Sequence, residues 1–208
     1  STYTTSYSTN LRSNIITGNC IFTILGSNTF IEADDPSTAN TFNGNITFNC
    51  DGPASLYSSY GDKSTFNGNY TINRTVAGYT DAFNSGANIT GNFSYTKNNA
   101  GATNFGHLSH KTLVFGTINM SVTQTTSDLF EIYRMQNLTN GGSITVNDTR
   151  GFHLQFDTLL LNSLSITGYS GSEYGRLYNN QITGNISLQD ASTYTTSYST
   201  NLRSNIIT

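Results

Sequence analysis

The sequence is short of charge. Twelve of its 208 residues are acidic and nine are lysine or arginine, which leaves a formal net charge of −3. The nine cations are scattered, so the clustered basic footprint that a nucleic-acid partner requires is missing. No apolar run approaches the ~20 residues that a membrane-spanning helix needs. Nor does any stretch keep a helical period. Hydrophobic residues make up only 35%, yet aromatics reach 12%, and Ile, Thr and Tyr are plentiful. A disordered chain would be depleted in aromatic and β-branched residues. The composition therefore predicts an ordered, β-rich chain.

What is abundant is one recurring phrase. Residues 42–48 read FNGNITF, and close variants return at 66–72 (FNGNYTI), 89–95 (ITGNFSY) and 182–188 (ITGNISL). Apolar residues alternate with small polar ones, which predicts an extended strand with one apolar face. Taking the glycine as origin aligns Gly18, Gly44, Gly68, Gly91, Gly116, Gly142, Asn162 and Gly184, at steps of 20 to 26 residues. Two places earlier stand Ile16, Phe42, Phe66, Ile89, Val114, Asn140, Leu160 and Ile182. Two places later come Cys20, Ile46, Tyr70, Phe93, Ile118, Ile144, Leu164 and Ile186. Four places later come Phe22, Phe48, Ile72, Tyr95, Met120, Val146, Ile166 and Leu188. Only Asn140 is clearly polar. A period of this length with one strand per unit marks a solenoid, whose units bury their faces on each other.

Residues 1–17 are identical to residues 192–208, an offset of 191. The copy continues the strand pattern in register, so a duplicated tag is the weaker explanation. The expectation is a window on tandem 191-residue units of eight rungs each. Second strands are predicted at 28–32, 54–58, 78–83, 102–108, 129–134, 151–156, 173–178 and 193–198. Turn-forming stretches such as Asp51-Gly52-Pro53 and residues 98–101 separate them. The fold class predicted is all-β: one parallel β-solenoid domain over 1–208, a right-handed β-helix. Rungs about 4.8 Å apart would make each unit a rod roughly 38 Å long.

Chemistry-bearing residues are sparse. Nine Asn-x-Ser/Thr sequons occur, at Asn45, Asn69, Asn73, Asn88, Asn92, Asn119, Asn137, Asn147 and Asn185. The strand pattern itself generates those at 45, 69, 92 and 185, where Asn ladders bonding rung to rung account for the column. Asn73, Asn88, Asn137 and Asn147, nearer turns, remain as glycosylation candidates. The outward Thr and Ser rows invite an ice-binding lattice, but they read Asn-x-Thr and are interrupted by Ile21 and Asn119. Polysaccharide-cleaving sites need clustered carboxylates. Most acids here stand singly in turns, and Asp34-Asp35 runs into Pro36. The best catalytic grouping is Glu131 and Arg134 facing His153 and Asp157 on the next rung. His107, His110 and His153 form no metal-ligand set, and no cofactor is implied. Cys20 and Cys50 fall one rung apart but four residues displaced, about 13 Å along the strand at ~3.3 Å per residue. That is too far for a disulfide.

The rungs GNITF, GNYTI, GNFSY and GNISL resemble the passenger repeats of bacterial autotransporters and other large surface adhesins. The resemblance implies a secreted β-solenoid in an extracellular setting, without cofactor. It transfers no functional residue. The large tandem period departs from most passengers and suits a fibre. The expectation is a non-enzymatic structural repeat of an extracellular filament or giant adhesin. Its partners would be copies of itself or adjacent units, head to tail, and host or surface carbohydrate. A carbohydrate-active or carbohydrate-binding β-helix is the alternative, and an ice-binding or other ligand face the third.

Overall fold

The computed structural model describes residues 2–3, 9–125, 128–169, 175–190 and 200–208. The strand expected at 193–198 lies outside them. Every regular element among the described residues is a strand. Three strands make a coil: Cys20–Ile24, Phe30–Glu32 and Thr41–Phe42 in one, Ile46–Cys50, Leu56–Ser58 and Ser64–Phe66 in the next. Each pairs in parallel with its equivalent one coil away. The chain is thus an all-β parallel β-solenoid of about eight turns. Its first face carries the long strands, its second the strands equivalent to Phe30–Glu32, and its third the short strands equivalent to Thr41–Phe42.

The repeated phrase is therefore not one strand. Phe42 ends a third-face strand, Ile46 opens a first-face strand, and Asn43-Gly44-Asn45 is the corner between them. The glycine is required by close approach. A Cβ on Gly44 would lie 2.3 Å from the Gly18 carbonyl oxygen, and one on Gly68 would lie 2.6 Å from that of Gly44. The following asparagine ties successive corners together. Backbone N–H groups of Asn45, Asn69, Asn92 and Thr117 donate to the side-chain oxygens of Asn19, Asn45, Asn69 and Asn92 at 3.0, 2.9, 2.8 and 2.8 Å. Later coils dispense with the corner: Thr158–Tyr169 and Gln181–Asp190 run from third face to first as single strands.

Inward side chains stack coil on coil. Phe22 lies on Phe48 (centroids 5.2 Å apart, 17° between planes) and Phe42 on Phe66 (5.3 Å, 12°). Phe42, Ile46, Phe48, Phe66, Tyr70, Ile72, Ile89, Phe93, Tyr95, Ile118, Met120, Ile144, Val146, Leu164, Ile166 and Ile182 are buried, as is Phe22. Ile16, Cys20, Ile186 and Leu188 are partly buried against that core. At about 25 cal/mol per Å² of apolar surface, this burial is the main stabilising term.

The columns break step at two points. Ile144 pairs with Met120, not Ile118. Ile144, Leu164 and Ile186 thus continue the column of Phe22, while Val146, Ile166 and Leu188 continue that of Ile24 and Cys50. Gly142 (φ 80°) makes the slip possible, because any Cβ there would lie 2.2 Å from the Ile118 carbonyl oxygen. A slip of two keeps each side chain on its own face, since strand alternation has period two. On the third face the partner of Val114 is Asn137, not Asn140. Asn140 is exposed in the corner. Leu159, not Leu160, is the buried residue paired with Ile182, and an irregularity between Leu160 and Ser163 restores register.

Candidate functional site

The chemistry gathers on the outside of the second face. By strand pairing its central outward column runs Ile31, Tyr57, Asp81, Asn104, Glu131, His153, Arg176, Asn201. The strands hold it straight because alternation buries the neighbours: Thr80 and Ala82 flank Asp81, and Phe130 and Ile132 flank Glu131, all turned into the core.

Glu131 and His153 pair directly, with Nδ1 2.8 Å from Oε1. Tyr133, absent from the sequence candidates, donates its hydroxyl to the same Oε1 at 2.7 Å. Burial opposes ionisation of Glu131, but the hydrogen bonds from His153 and Tyr133 outweigh it and hold the carboxyl below its usual range. Burial, reinforced by the Glu131 carboxylate, pushes the Tyr133 hydroxyl far upward. Two coils away, Asp81 is 8% exposed. It accepts from Asn104 Nδ2 at 3.3 Å and from the Tyr79 hydroxyl at 3.5 Å. Burial first, then the charge of Glu131, pushes Asp81 up to about 6 despite the Tyr79 bond. Tyr57 stands edge-to-face with Tyr60 and with Tyr79, at 4.8 and 5.8 Å between centroids.

The structure splits the other two members off the catalytic grouping. Arg134 turns away at φ 52° and donates to the Leu108 carbonyl at 3.3 Å. Asp157 points into the core at 1% exposure, where Oδ1 accepts the Met135 N–H at 2.8 Å. It belongs to a corner ladder: the Asp157 N–H donates to Asn180 Oδ1 at 3.0 Å, and the Asn180 N–H to Asn205 Oδ1 at 3.1 Å. Burial drives its carboxyl well above the usual range. Glu32 is likewise buried, accepting from Asn40 Nδ2, Ser58 Oγ, Ser59 N–H and Ser64 Oγ.

Two cations lie inside the solenoid. Arg74 and Lys97 fill the inward column between Cys50 and Val122, at 2% and 1% exposure. Arg74 is fully engaged: Nε donates to Thr80 Oγ1 at 2.9 Å, and Nη1 and Nη2 to the Ala54 and Tyr79 carbonyls, each at 3.0 Å. Lys97 Nζ reaches only Thr103 Oγ1, at 3.4 Å. These positions lie six residues after the glycine, beyond the columns legible from the repeat.

Among the glycosylation candidates, Asn137 is corrected. It is 0% exposed, donates from Nδ2 to the Thr139 and Leu160 carbonyls, and accepts the Leu160 N–H at 2.7 Å. An inward amide bonded at both ends has no room for a glycan. Asn73 donates to Asn49 Oδ1 at 3.0 Å, and Asn147 accepts from Thr167 Oγ1 at 2.6 Å. Asn88 is half-buried on the third face. Cys20 and Cys50 are free thiols, and Cys50 pairs with Ile24. His107 and His110 face each other across an antiparallel bridge in an exposed loop. Among the described residues no three His, Cys, Asp or Glu side chains converge on a metal position. A shallow depression of about 340 Å³ on the first face is lined by Ser94, Asn119, Ser121 and Thr145. No protein-family model, curated protein sequence or solved structure matches the chain.

Proposed function

We propose that this chain is a non-enzymatic structural repeat of an extracellular filament or large surface adhesin, and that its units stack end to end into a fibre. The observation that carries this is how the duplicated segment folds. Thr9–Leu11 and Thr200–Arg203 are equivalent second-face strands, and Ile15–Ile16 and Ile206–Ile207 equivalent third-face strands. Ser13 and Ser204 share one backbone conformation, φ 51° and 52°. The first copy bonds to the coil after it: the Asn14 N–H donates to Asn40 Oδ1 at 2.8 Å. The second bonds to the coil before it: Asn205 accepts from the Asn180 N–H and donates to the Leu177 carbonyl at 2.7 Å. One copy between two units would make both sets at once.

Stacking would act on two inward side chains of the second copy. Inward-facing Leu202 and Ile207 are 57% and 50% exposed, whereas Leu177 and Ile182, beneath them, are 0% exposed. A following coil would cover both and satisfy a row of strand N–H and C=O groups, each worth about 1 kcal/mol when bonded. Such a head-to-tail contact does not close on itself, so it generates a filament. A fibre of this kind would present its faces to neighbouring copies and to surface carbohydrate outside the cell. No helix among the described residues is long and apolar enough to cross a membrane.

The test is a series of one-, two- and three-unit chains imaged by electron microscopy. Rods should lengthen by roughly 38 Å per unit at the strand spacing. Units joined as separate beads, with Ile207→Lys leaving them unchanged, would refute the stacking.

A further inference from the structure

The outward row of the second face is unlike the other faces. The outer columns of the other two faces carry mostly hydroxyls and amides, with Ile15, Ile21 and Leu113 among them; here Tyr57 shares a column with carboxylates, an amide and an imidazole, and Tyr79 stands against it. Two of its polar atoms, Asn104 Oδ1 and His153 Nε2, are buried and make no hydrogen bond within the protein. His153 as a whole is 8% exposed, and its other ring nitrogen is held by Glu131. Buried polar groups are ordinarily paired, so orphaned acceptors or donors within one row point to a group that meets them from outside.

We propose that this row binds a neutral, linear oligosaccharide lying along the solenoid axis, with its sugar faces on Tyr57 and Tyr79 and its hydroxyls on Asp81, Asn104, Glu131 and His153. Hydroxyls suit the row because each both donates and accepts, and the row alternates carboxylate, amide, carboxylate and imidazole. The apolar face of a sugar ring matches a tyrosine ring, which combines a large contact area with a polar tip. Charge selects against other polymers. A polyanion would be repelled by Asp81 and Glu131, and a polycation drawn to those two would be opposed at Arg176, which follows His153 in the column. A peptide could not add as a strand, since this sheet continues through every described coil. The rung repeat of about 4.8 Å spaces these contacts at regular intervals along the axis, a length that an extended polymer can follow and a compact ligand cannot. Nothing here depends on end-to-end stacking, so the two ideas stand or fall separately.

The experiment titrates the intact chain with cellohexaose, mannohexaose and N-acetylated chitohexaose, following tyrosine and histidine ring resonances by NMR. A chitosan hexamer and a galacturonate hexamer serve as the charged arms. At least one neutral hexasaccharide should shift the His153 and Tyr79 signals saturably. Tyr79→Ala and Glu131→Gln should each weaken it about tenfold, and Thr71→Ala, on the first face, should not. Tyr79→Phe, which keeps the ring, guards against misfolding of the alanine variant and should retain most of the affinity. Silence from all three neutral sugars, binding only of a charged hexamer, or equal loss on Thr71→Ala would overturn the proposal.

Discussion

Replacing Lys97 by methionine should stabilise the solenoid at neutral pH. The side chain is 1% exposed, stacked between Arg74 on one coil and Val122 on the next, with a single long hydrogen bond to Thr103. Burial first, then the neighbouring Arg74 charge, lowers its pKa from 10.5 to about 7, while Asp128 draws it part of the way back. The sign follows from proton binding. Between about pH 7 and the ordinary lysine value, the unfolded chain holds a proton that the folded chain has released, so stability rises with pH across that window. Below it both states are charged, and the folded state bears the whole cost of an enclosed ammonium. At 1.36 kcal/mol per pH unit, the shift corresponds to a ceiling of about 5 kcal/mol, of which local water access would leave about 2–4 kcal/mol. Methionine has similar length and flexibility, no charge, and suits a column that already holds Cys50 and Val122. Urea unfolding from pH 6 to 10.5, followed by circular dichroism, gives the comparison. The variant should be the more stable at pH 7, with the gap closing towards pH 10.5. A gap independent of pH, or a variant less stable than the parent, would refute the reasoning.

Two further substitutions probe the corners. Gly68→Ala should cost about 2–4 kcal/mol, because its Cβ would strike the Gly44 carbonyl at 2.6 Å. The cost should appear as a lowered thermal midpoint, and an unchanged midpoint would contradict the close-approach argument. Asp157→Asn should raise stability at pH 7, since the amide oxygen can still accept the Met135 N–H without the cost of a buried carboxylate. The parent's raised carboxyl makes its contribution largest below the usual aspartate range and loses it as pH rises through the folded pKa. The variant should lack that decline in a pH series of unfolding midpoints.

The repeat was legible because apolar alternation and glycine spacing both reflect the coil directly. Anchoring every column on glycine failed where glycine changes its role. Gly44 and Gly68 are there for close approach, whereas Gly142 takes a positive φ and lets its strand enter two residues late. Asn137 and Asn140 exchanged places for the same reason: length added after the third-face strand moves the glycine without moving the strand. Of the outer row only the facing of Glu131 and His153 is legible in the sequence, and the rest of it has no anchor. Its half of each coil has no invariant residue, and Tyr133, two places from Glu131 on one strand, meets His153 only through strand pairing across 20 positions of sequence. The alternation of Thr80, Asp81, Ala82 with Thr103, Asn104, Phe105 was the available signal. Arg74 and Lys97 were missed because polar residues at the end of a strand look like the start of a turn.

Every strand here lies across the long axis, and the bonds between strands lie along it. A pull on the two ends therefore loads one seam between coils at a time rather than shearing many at once. When a seam parts, the coil behind it is freed as slack. The 24 residues from Gly44 to Gly68 advance the rod by about 4.8 Å when folded, and reach about 80 Å when drawn out. Each failure thus releases far more length than it removes, and the tension on the remaining coils falls before the next can part. A rod of this construction should yield in steps under load, as a shock absorber does.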